Sequence, residues 1–209
     1  QGSVTSYSFT NIEADHTIAA TFAINTYTIV ASAGSGGTIS PTGSLSINQG
    51  ASQTYTITPS AGYRVSSVVV DGVSQGSITS YSFTNVGADH SIVASFVVIP
   101  TFGSISPATG LLTGGTSVTI TGTGFTGATA VTFGGTSASS FTVVSGTSIT
   151  AVTPAHAAGA VDVVITTPGG AATGTGAYNY RNYIITLFTT TGTSSWTVPS
   201  DITTIQYLV

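Results

Sequence analysis

Residues 75–96 read QGSITSYSFTNVGADHSIVASF, and residues 1–22 read QGSVTSYSFTNIEADHTIAATF. The two stretches lie 74 residues apart and differ at six of 22 positions, and the exchange of Glu13 for Gly87 is the one change that is not conservative. A segment copied at a fixed period indicates an array of repeated modules. Residues 27–96 therefore form one whole copy of the repeat.

Apolar side chains alternate with Ser and Thr throughout this copy, as in strands that bury one face. The clearest alternating positions are Tyr55 and Ile57, Tyr81 and Phe83, and Ile92, Ala94, Phe96 and Val98. Asp71-Gly72 stands beside a run of three valines and predicts a two-residue hairpin turn, because glycine accepts a positive φ without penalty. No stretch sustains helical spacing, so the predicted fold class is all-β, built of tandem small β modules.

Charged residues make up 4% of the chain, against about 25% in an average protein. Two Arg and six acidic residues give a formal net charge of -4 and leave no basic patch for phosphates, so we expect no nucleic-acid partner. No apolar run approaches the roughly 18 residues of a spanning helix, and we expect no membrane insertion in this segment. The absence of Cys excludes disulfides and thiolate metal sites.

Residues 27–97 resemble the divergent InlB B-repeat, a β-rich module of bacterial surface proteins. The matching features are the strand at 27–31, the turn at 37–41, the stretches 49–59 and 62–72, and the closing stretch 83–96. By the same matching, residues 1–26 are the C-terminal half of a preceding repeat, and the complete repeat occupies residues 27–99. Two explanations for the half repeat stay open: truncation, or a neighbouring subunit that supplies the missing strands.

After Pro100, short alternating segments recur about every ten residues between glycines. The predicted strands include 117–121, 131–135, 148–154, 159–166 and 177–180, a seven-strand-like pattern typical of a β-sandwich. Val161, Val163 and Ile165 are expected to face its core. The stretch resembles an IPT/TIG domain, an immunoglobulin-like β-sandwich, over about residues 100–180, and the predicted domain is 100–181.

Residues 183–209 resemble the start of a bacterial glycine-rich surface domain, and WTVP at 196–199 is the most recognisable part. We therefore expect residues 182–209 to hold the opening strands of a truncated β domain. Trp196 is the best single candidate for a glycan contact, because a flat aromatic ring can stack on a sugar. Most other aromatic residues lie at alternating strand positions, which favours a role in core packing.

The three histidines are the natural place to look for catalysis or metal binding. His16 and His90 hold the same place in the repeat, after Ala-Asp, and we expect a polar turn with a local contact between Asp89 and His90. His156 is expected in an exposed loop. A zinc site needs three or four convergent ligands, and neither a nucleophile elbow nor a calcium loop is present. We predict no catalytic residue, no metal site, no cofactor and no enzyme activity.

Three functions follow as hypotheses. The leading one is a structural or adhesive segment of a large extracellular surface protein, in which tandem β modules form a stalk or fibre. Its partners are neighbouring copies of the chain or adjoining modules, with strand complementation between subunits as one form of contact. The alternative is a carbohydrate-binding accessory module of a secreted enzyme or adhesin, with surface glycans as partners. A third and weaker idea is an intracellular immunoglobulin-like interaction domain.

Overall fold

The computed structural model describes residues 4–182. The chain divides into two compact units, of which the first ends at Ile99 and the second begins at Pro100. All regular structure within residues 4–182 is β-strand, which confirms the predicted all-β class. In this part of the chain no helix has the length and hydropathy needed to cross a bilayer.

The first unit has eight strands between residues 26 and 98. They are β1 Thr26–Ala33, β2 Gly37–Ser40, β3 Gly43–Asn48, β4 Gln53–Pro59, β5 Tyr63–Val70, β6 Val73–Ser74, β7 Ser80–Phe83 and β8 His90–Val98. They pair into two sheets, in the orders β3-β1-β8-β5-β6 and β2-β4-β7. Side chains from both sheets form one apolar core, whose fully buried members include Ile29, Tyr55, Val68 and Ile92.

Asp71 and Gly72 form the predicted hairpin turn between β5 and β6. Their φ angles are 49° and 80°, and Val70 pairs with Val73 across the turn. Two successive residues with positive φ are typical of a type I′ turn, whose twist matches that of the flanking strands. This prediction is confirmed.

The predicted turn at residues 37–41 is wrong, because Gly37–Ser40 is strand β2. Ile39 lies opposite Ile57 in the antiparallel pair of β2 and β4, and both side chains are buried. The turn lies one step earlier, at Ser35 and Gly36. A Cβ on Gly37 would overlap the ring of Phe96, so this glycine marks close packing and not a change of direction.

The second unit has nine strands between residues 101 and 181. They are β9 Thr101–Ser106, β10 Thr109–Leu111, β11 Ser117–Thr123, β12 Ala130–Phe133, β13 Thr136–Ser137, β14 Ser140–Ser145, β15 Ser148–Val152, β16 Gly159–Thr167 and β17 Gly170–Arg181. The sheets run β10-β17-β16-β12-β13 and β14-β15-β11-β9 and enclose one core, as in a β-sandwich. Val161, Val163 and Ile165 are 9%, 0% and 0% exposed, which confirms their predicted place in the core.

The strand segments that the sequence pattern did not predict in the second unit include β14 and the first half of β17. β14 is an edge strand in which no side chain is fully buried, and its alternation covers only Phe141 and Val143 before the exposed Val144 interrupts it. β17 begins at Gly170, well before the predicted start at residue 177. Residues 170–176 consist of Gly, Ala and Thr, and such small side chains hide the contrast between the two faces of a strand.

Candidate functional site

The first and last strands of the first unit are parallel neighbours. β1 pairs with β8 from Ile29 opposite His90 to Ala33 opposite Ala94. The backbone therefore enters the unit at one end of this pair and leaves it at the other end. Parallel neighbours need a long crossover connection. In this unit that connection contains all the strands from β2 to β7.

Buried apolar side chains hold β1 and β8 together on the core face. Ile29 and Ile92 are fully buried, and the small Ala31 and Ala94 fill positions next to them with 2% and 0% exposure. Burying an isoleucine side chain contributes about 2 kcal/mol. β8 lies between β1 and β5 in the sheet. Its alternating apolar side chains must face the core, and this requirement fixes its register with both neighbours.

Two carboxylates fix the start of β8 to its neighbours. The backbone N–H of Thr28 in β1 donates to Asp89 Oδ1 at 2.7 Å. The backbone N–H of Ser91 in β8 donates to Asp71 Oδ1 at 2.7 Å, and the N–H of Asp71 donates to the carbonyl of Ser91 at 3.1 Å. Hydrogen bonds to a carboxylate are stronger than neutral ones, so the first residues of β8 are held from both sides.

His90 contacts Asp71 and not Asp89, so the predicted local pair is wrong. His90 Nδ1 lies 2.7 Å from Asp71 Oδ2, and the His90 ring packs on Phe83 with centroids 4.7 Å apart. Asp89 is engaged by the backbone of Thr28 instead. His90 is the first residue of β8, so it does not lie in a turn. Asp71 comes from a hairpin 19 residues away, and only the sheet order brings it near.

The pKa of Asp71 lies below its ordinary value of 3.8. Partial desolvation pushes the pKa up, but the hydrogen bond from the Ser91 N–H and the contact with His90 together outweigh it. Asp71 and His90 are 44% and 26% exposed, so solvent screens their attraction.

The second unit also has a parallel pair, which is shorter and joins its second strand to its last. β10 pairs with β17 from Thr109 opposite Asn179 to Leu111 opposite Arg181, and the N–H of Asn179 donates to the carbonyl of Ala108 at 2.9 Å. Gly110 lies at the centre of β10. A Cβ on Gly110 would overlap Tyr178 Oη and the side chain of Thr116, so any other residue here would have to displace these two side chains.

A cluster of two tyrosines and a histidine supports this second pair. Tyr180 Oη donates to the carbonyl of Pro154 at 2.9 Å, whereas the buried Tyr178 Oη has no partner. Burial, and then the neighbouring Tyr178, raise the pKa of Tyr180 to about 12. The ring of His156 stacks on Tyr180 with centroids 5.0 Å apart, and the backbone N–H of His156 donates to the carbonyl of Leu112 at 2.9 Å.

His156 thus lies in a loop, as expected, but its side chain is half-buried and not exposed. His16 stacks on Phe9 with centroids 4.9 Å apart. The structure describes no group of three or more His, Cys, Asp or Glu residues within 4–182 that could hold a metal ion. Trp196, the candidate glycan contact, lies outside the described residues.

Several solved structures resemble the chain at low sequence identity. No curated protein sequence matches the chain. The solved structures include SGBP-B from a complex xyloglucan utilization locus in Bacteroides uniformis, with 20% identity and a TM-score of 0.34 over 60% of this chain and 45% of that one. The full extracellular region of plexin A4 shows 16% identity and a TM-score of 0.39 over 76% and 18%. The I9–I11 tandem of titin shows 11% identity and a TM-score of 0.31 over 72% and 63%.

All three structural likenesses are too weak to support an argument about function, and the chain spans less than half of the first two proteins. The family models are more specific. Residues 27–100 match the divergent InlB B-repeat domain, and residues 100–181 match the IPT/TIG domain. The predicted glycine-rich domain at 183–209 stays a prediction and lies outside the described residues. The chain therefore carries a divergent InlB B-repeat domain followed by an IPT/TIG domain.

Proposed function

We propose that the chain is a tension-bearing segment of a large extracellular surface protein, in which tandem β modules form a stalk or fibre. The observation that carries this proposal is the parallel pairing of β1 with β8. Both matched families are typically non-catalytic, which agrees with a mechanical role. The extracellular location rests on the family of the repeat.

Tension along the backbone reaches the first unit at Thr26 and leaves it at Val98. These residues lie at opposite ends of two parallel neighbours, so opposite pulls slide β1 along β8. All pairs from Ile29–His90 to Ala33–Ala94 are then loaded together. If two paired strands were instead pulled apart from the same end, their hydrogen bonds would break one at a time, and each bond contributes only about 1 kcal/mol.

The carboxylate contacts at the start of β8 add to the resistance. Sliding β1 past β8 breaks the bond from Thr28 to Asp89, because these residues belong to the two sides of the pair. The bonds between Asp71 and Ser91 keep β8 fixed to the β5–β6 hairpin while this happens. Both carboxylates are exposed, so solvent screening lowers each contribution below the about 1.5–3 kcal/mol of a hydrogen bond to a charged group.

The second unit takes tension through β9 before the parallel pair is loaded. β9 pairs with β11 antiparallel, and β10 follows it and pairs with β17. Only three residue pairs link β10 to β17, so we expect the second unit to unfold at a lower force than the first. The bond from His156 to Leu112 and the close approach of Gly110 to Tyr178 support this short pair.

Glycan binding stays the alternative function. Trp196 is its candidate residue, and no contact within residues 4–182 favours a sugar site over core packing. A glycan array with the full chain tests it. Reproducible binding that is lost in Trp196→Ala supports the alternative, and a flat array removes it.

Optical tweezers with handles at the two ends of the full chain test the mechanical role. We expect two discrete unfolding events. At about 3.4 Å per residue, residues 26–98 release roughly 250 Å and residues 101–181 roughly 280 Å. Smooth extension at low force, without discrete events, contradicts the proposal. Antibody labelling of intact producing cells tests the extracellular location separately.

A further inference from the structure

Strand β3 is the most regular long edge strand within residues 4–182. The edge strands of six residues in this part of the chain are β3, β9 and β14, and the other edge strands have two to four residues. The pairing of β9 with β11 and the pairing of β14 with β15 are each interrupted by a shift of register, whereas β3 pairs with β1 without interruption. A β-bulge or similar break bends an edge away from further pairing, so β3 lacks a protection that the other long edges have.

The free edge of β3 presents the backbone groups of Ser44, Ser46 and Asn48. The N–H of Gln49 donates to the carbonyl of Asn25 at 2.8 Å, so these two residues form a hydrogen-bonded pair just before β1 and after β3. In antiparallel strands such pairs alternate with pairs that exchange no hydrogen bond. The odd-numbered residues of β3 therefore bond to β1, and the N–H and C=O groups of the even-numbered residues point away from it.

No charge and no proline guards this edge. β3 has the sequence GSLSIN, and the side chains of Ser44, Ser46 and Asn48 lie exposed on the solvent face of the sheet. Natural edge strands are commonly guarded by charged side chains or by proline. In a two-fold interface each patch meets its own copy, so a charge at the centre would meet a like charge. The neutral edge of β3 is therefore compatible with its own copy, although the chain has a net charge of -4.

We propose that two copies of the chain pair through β3 as antiparallel neighbours, which joins their two five-stranded sheets into one. A two-fold axis at Ser46 sets this residue opposite Ser46 of the second copy and sets Ser44 opposite the second copy's Asn48. The groups that point away from β1 then form two hydrogen bonds in each of three residue pairs. The carbonyl of Asn48 already accepts from the N–H of Ala51 at 3.0 Å, and its second lone pair serves the new bond.

The same register joins the core faces of the two sheets. The half-buried Leu45 lies opposite the second copy's Ile47 and gains an apolar neighbour. A slip by one residue would set the solvent face of one copy beside the core face of the other, so the register is specified. Six residues a side make a small interface, and we expect a weak dimer that gains strength when several linked modules pair side by side. The pairing is independent of the mechanical role, so each can fail without the other.

Sedimentation of the full chain over a series of concentrations measures the pairing, and Ser46→Pro tests its backbone bonds. The N–H of Ser46 points away from β1, so proline there removes no hydrogen bond within the first unit. The central pair loses both of its hydrogen bonds, and we expect the dissociation constant of the dimer to rise roughly thirtyfold. Ser46→Ala keeps the N–H and should change this constant by less than about twofold. Urea unfolding of each variant reports whether the first unit is folded.

Opposite charges at residue 46 test the register independently of the backbone bonds. Ser46→Lys sets two ammonium groups opposite each other in a dimer, and Ser46→Asp sets two carboxylates opposite each other. We expect each variant alone to dimerise at least about fivefold more weakly than the unaltered chain. An equal mixture of the two should dimerise as tightly as the unaltered chain, because lysine then faces aspartate. The same charges at Thr56, which is exposed on the central strand of the other sheet, should have no such effect.

Three results would overturn the proposal. A chain that stays monomeric at about 1 mM, the effective concentration of closely linked modules, leaves the edge to a strand of another protein. A dimer with the same dissociation constant in Ser46→Pro pairs through another surface. A mixture of the Lys and Asp variants that dimerises no more tightly than either variant alone places residue 46 away from its own copy.

Discussion

Replacing Ser32 with proline perturbs the β1–β8 pair with little effect on the core. Ser32 and Ala33 lie beyond the last residue of β1 that pairs with β3, and they pair only with β8. The N–H of Gly34 donates to the carbonyl of Ala94 at 2.9 Å. Alternate residues of a strand donate to the same neighbour, so the N–H of Ser32 also donates to β8. The Ser32 side chain is exposed, and proline there removes the donor without removing core volume.

The expected loss is about 2 kcal/mol. One hydrogen bond contributes about 1 kcal/mol net, and the carbonyl left without its donor adds about 1 kcal/mol or more. If the bond resists the pull in the transition state for unfolding, the rate at a fixed force rises about thirtyfold, since 1.36 kcal/mol is a factor of ten.

Constant-force optical tweezers measure this rate, and Ile57→Ala is the matched control. Ile57 is buried in β4, in the other sheet, so its truncation lowers the stability by about 2–5 kcal/mol without removing a hydrogen bond of the β1–β8 pair. Each variant's rise in unfolding rate under force is divided by the stability that it loses in denaturant. We expect this ratio to be larger for Ser32→Pro than for Ile57→Ala. Equal sensitivity of the two variants would refute the reasoning.

The remaining predictions concern stability. Tyr178→Phe removes a buried hydroxyl without a partner and should stabilise the second unit by about 1 kcal/mol. Tyr180→Phe loses the hydrogen bond to Pro154 and should destabilise the unit by about 1 kcal/mol. Urea unfolding measures both changes. Because folding lowers the pKa of Asp71, its contribution to stability is present above pH 3.8 and is lost as the pH falls through the folded pKa; unfolding curves of Asp71→Asn should lack this part of the acid dependence. Gly110→Ala should destabilise the second unit by about 1–3 kcal/mol, measured by the midpoint of thermal unfolding, and an unchanged midpoint would contradict the close packing.

The fold class was predictable because period-two alternation reports directly which face of a strand is buried. The alternation is clear at Val161, Val163 and Ile165. The Asp71-Gly72 turn was predictable for a separate reason, since few residue pairs can adopt its geometry. The turn predicted at residues 37–41 was wrong because a glycine marks either a turn or a close approach of another group. At Gly37 only the position of Phe96 decides between the two.

The candidate site could not be predicted, because alternation does not tell which strands are neighbours. The parallel pairing of β1 and β8 depends on the order of strands in the sheet. The contact of His90 with Asp71 depends on that same order, and the Asp next to His90 in the sequence was the more obvious but wrong partner. Tertiary pairing therefore decides both the mechanics and the charge contacts.

The direction of pulling tests the central claim most directly. The chain has no Cys, so introduced cysteines provide unique handles. Asn25→Cys with Ile99→Cys pulls β1 and β8 from opposite ends, and Asn25→Cys with Gly87→Cys pulls them from the same end. The parallel pair predicts a clearly higher unfolding force for the first geometry. Equal forces in both geometries would contradict the claim that this pair bears the tension.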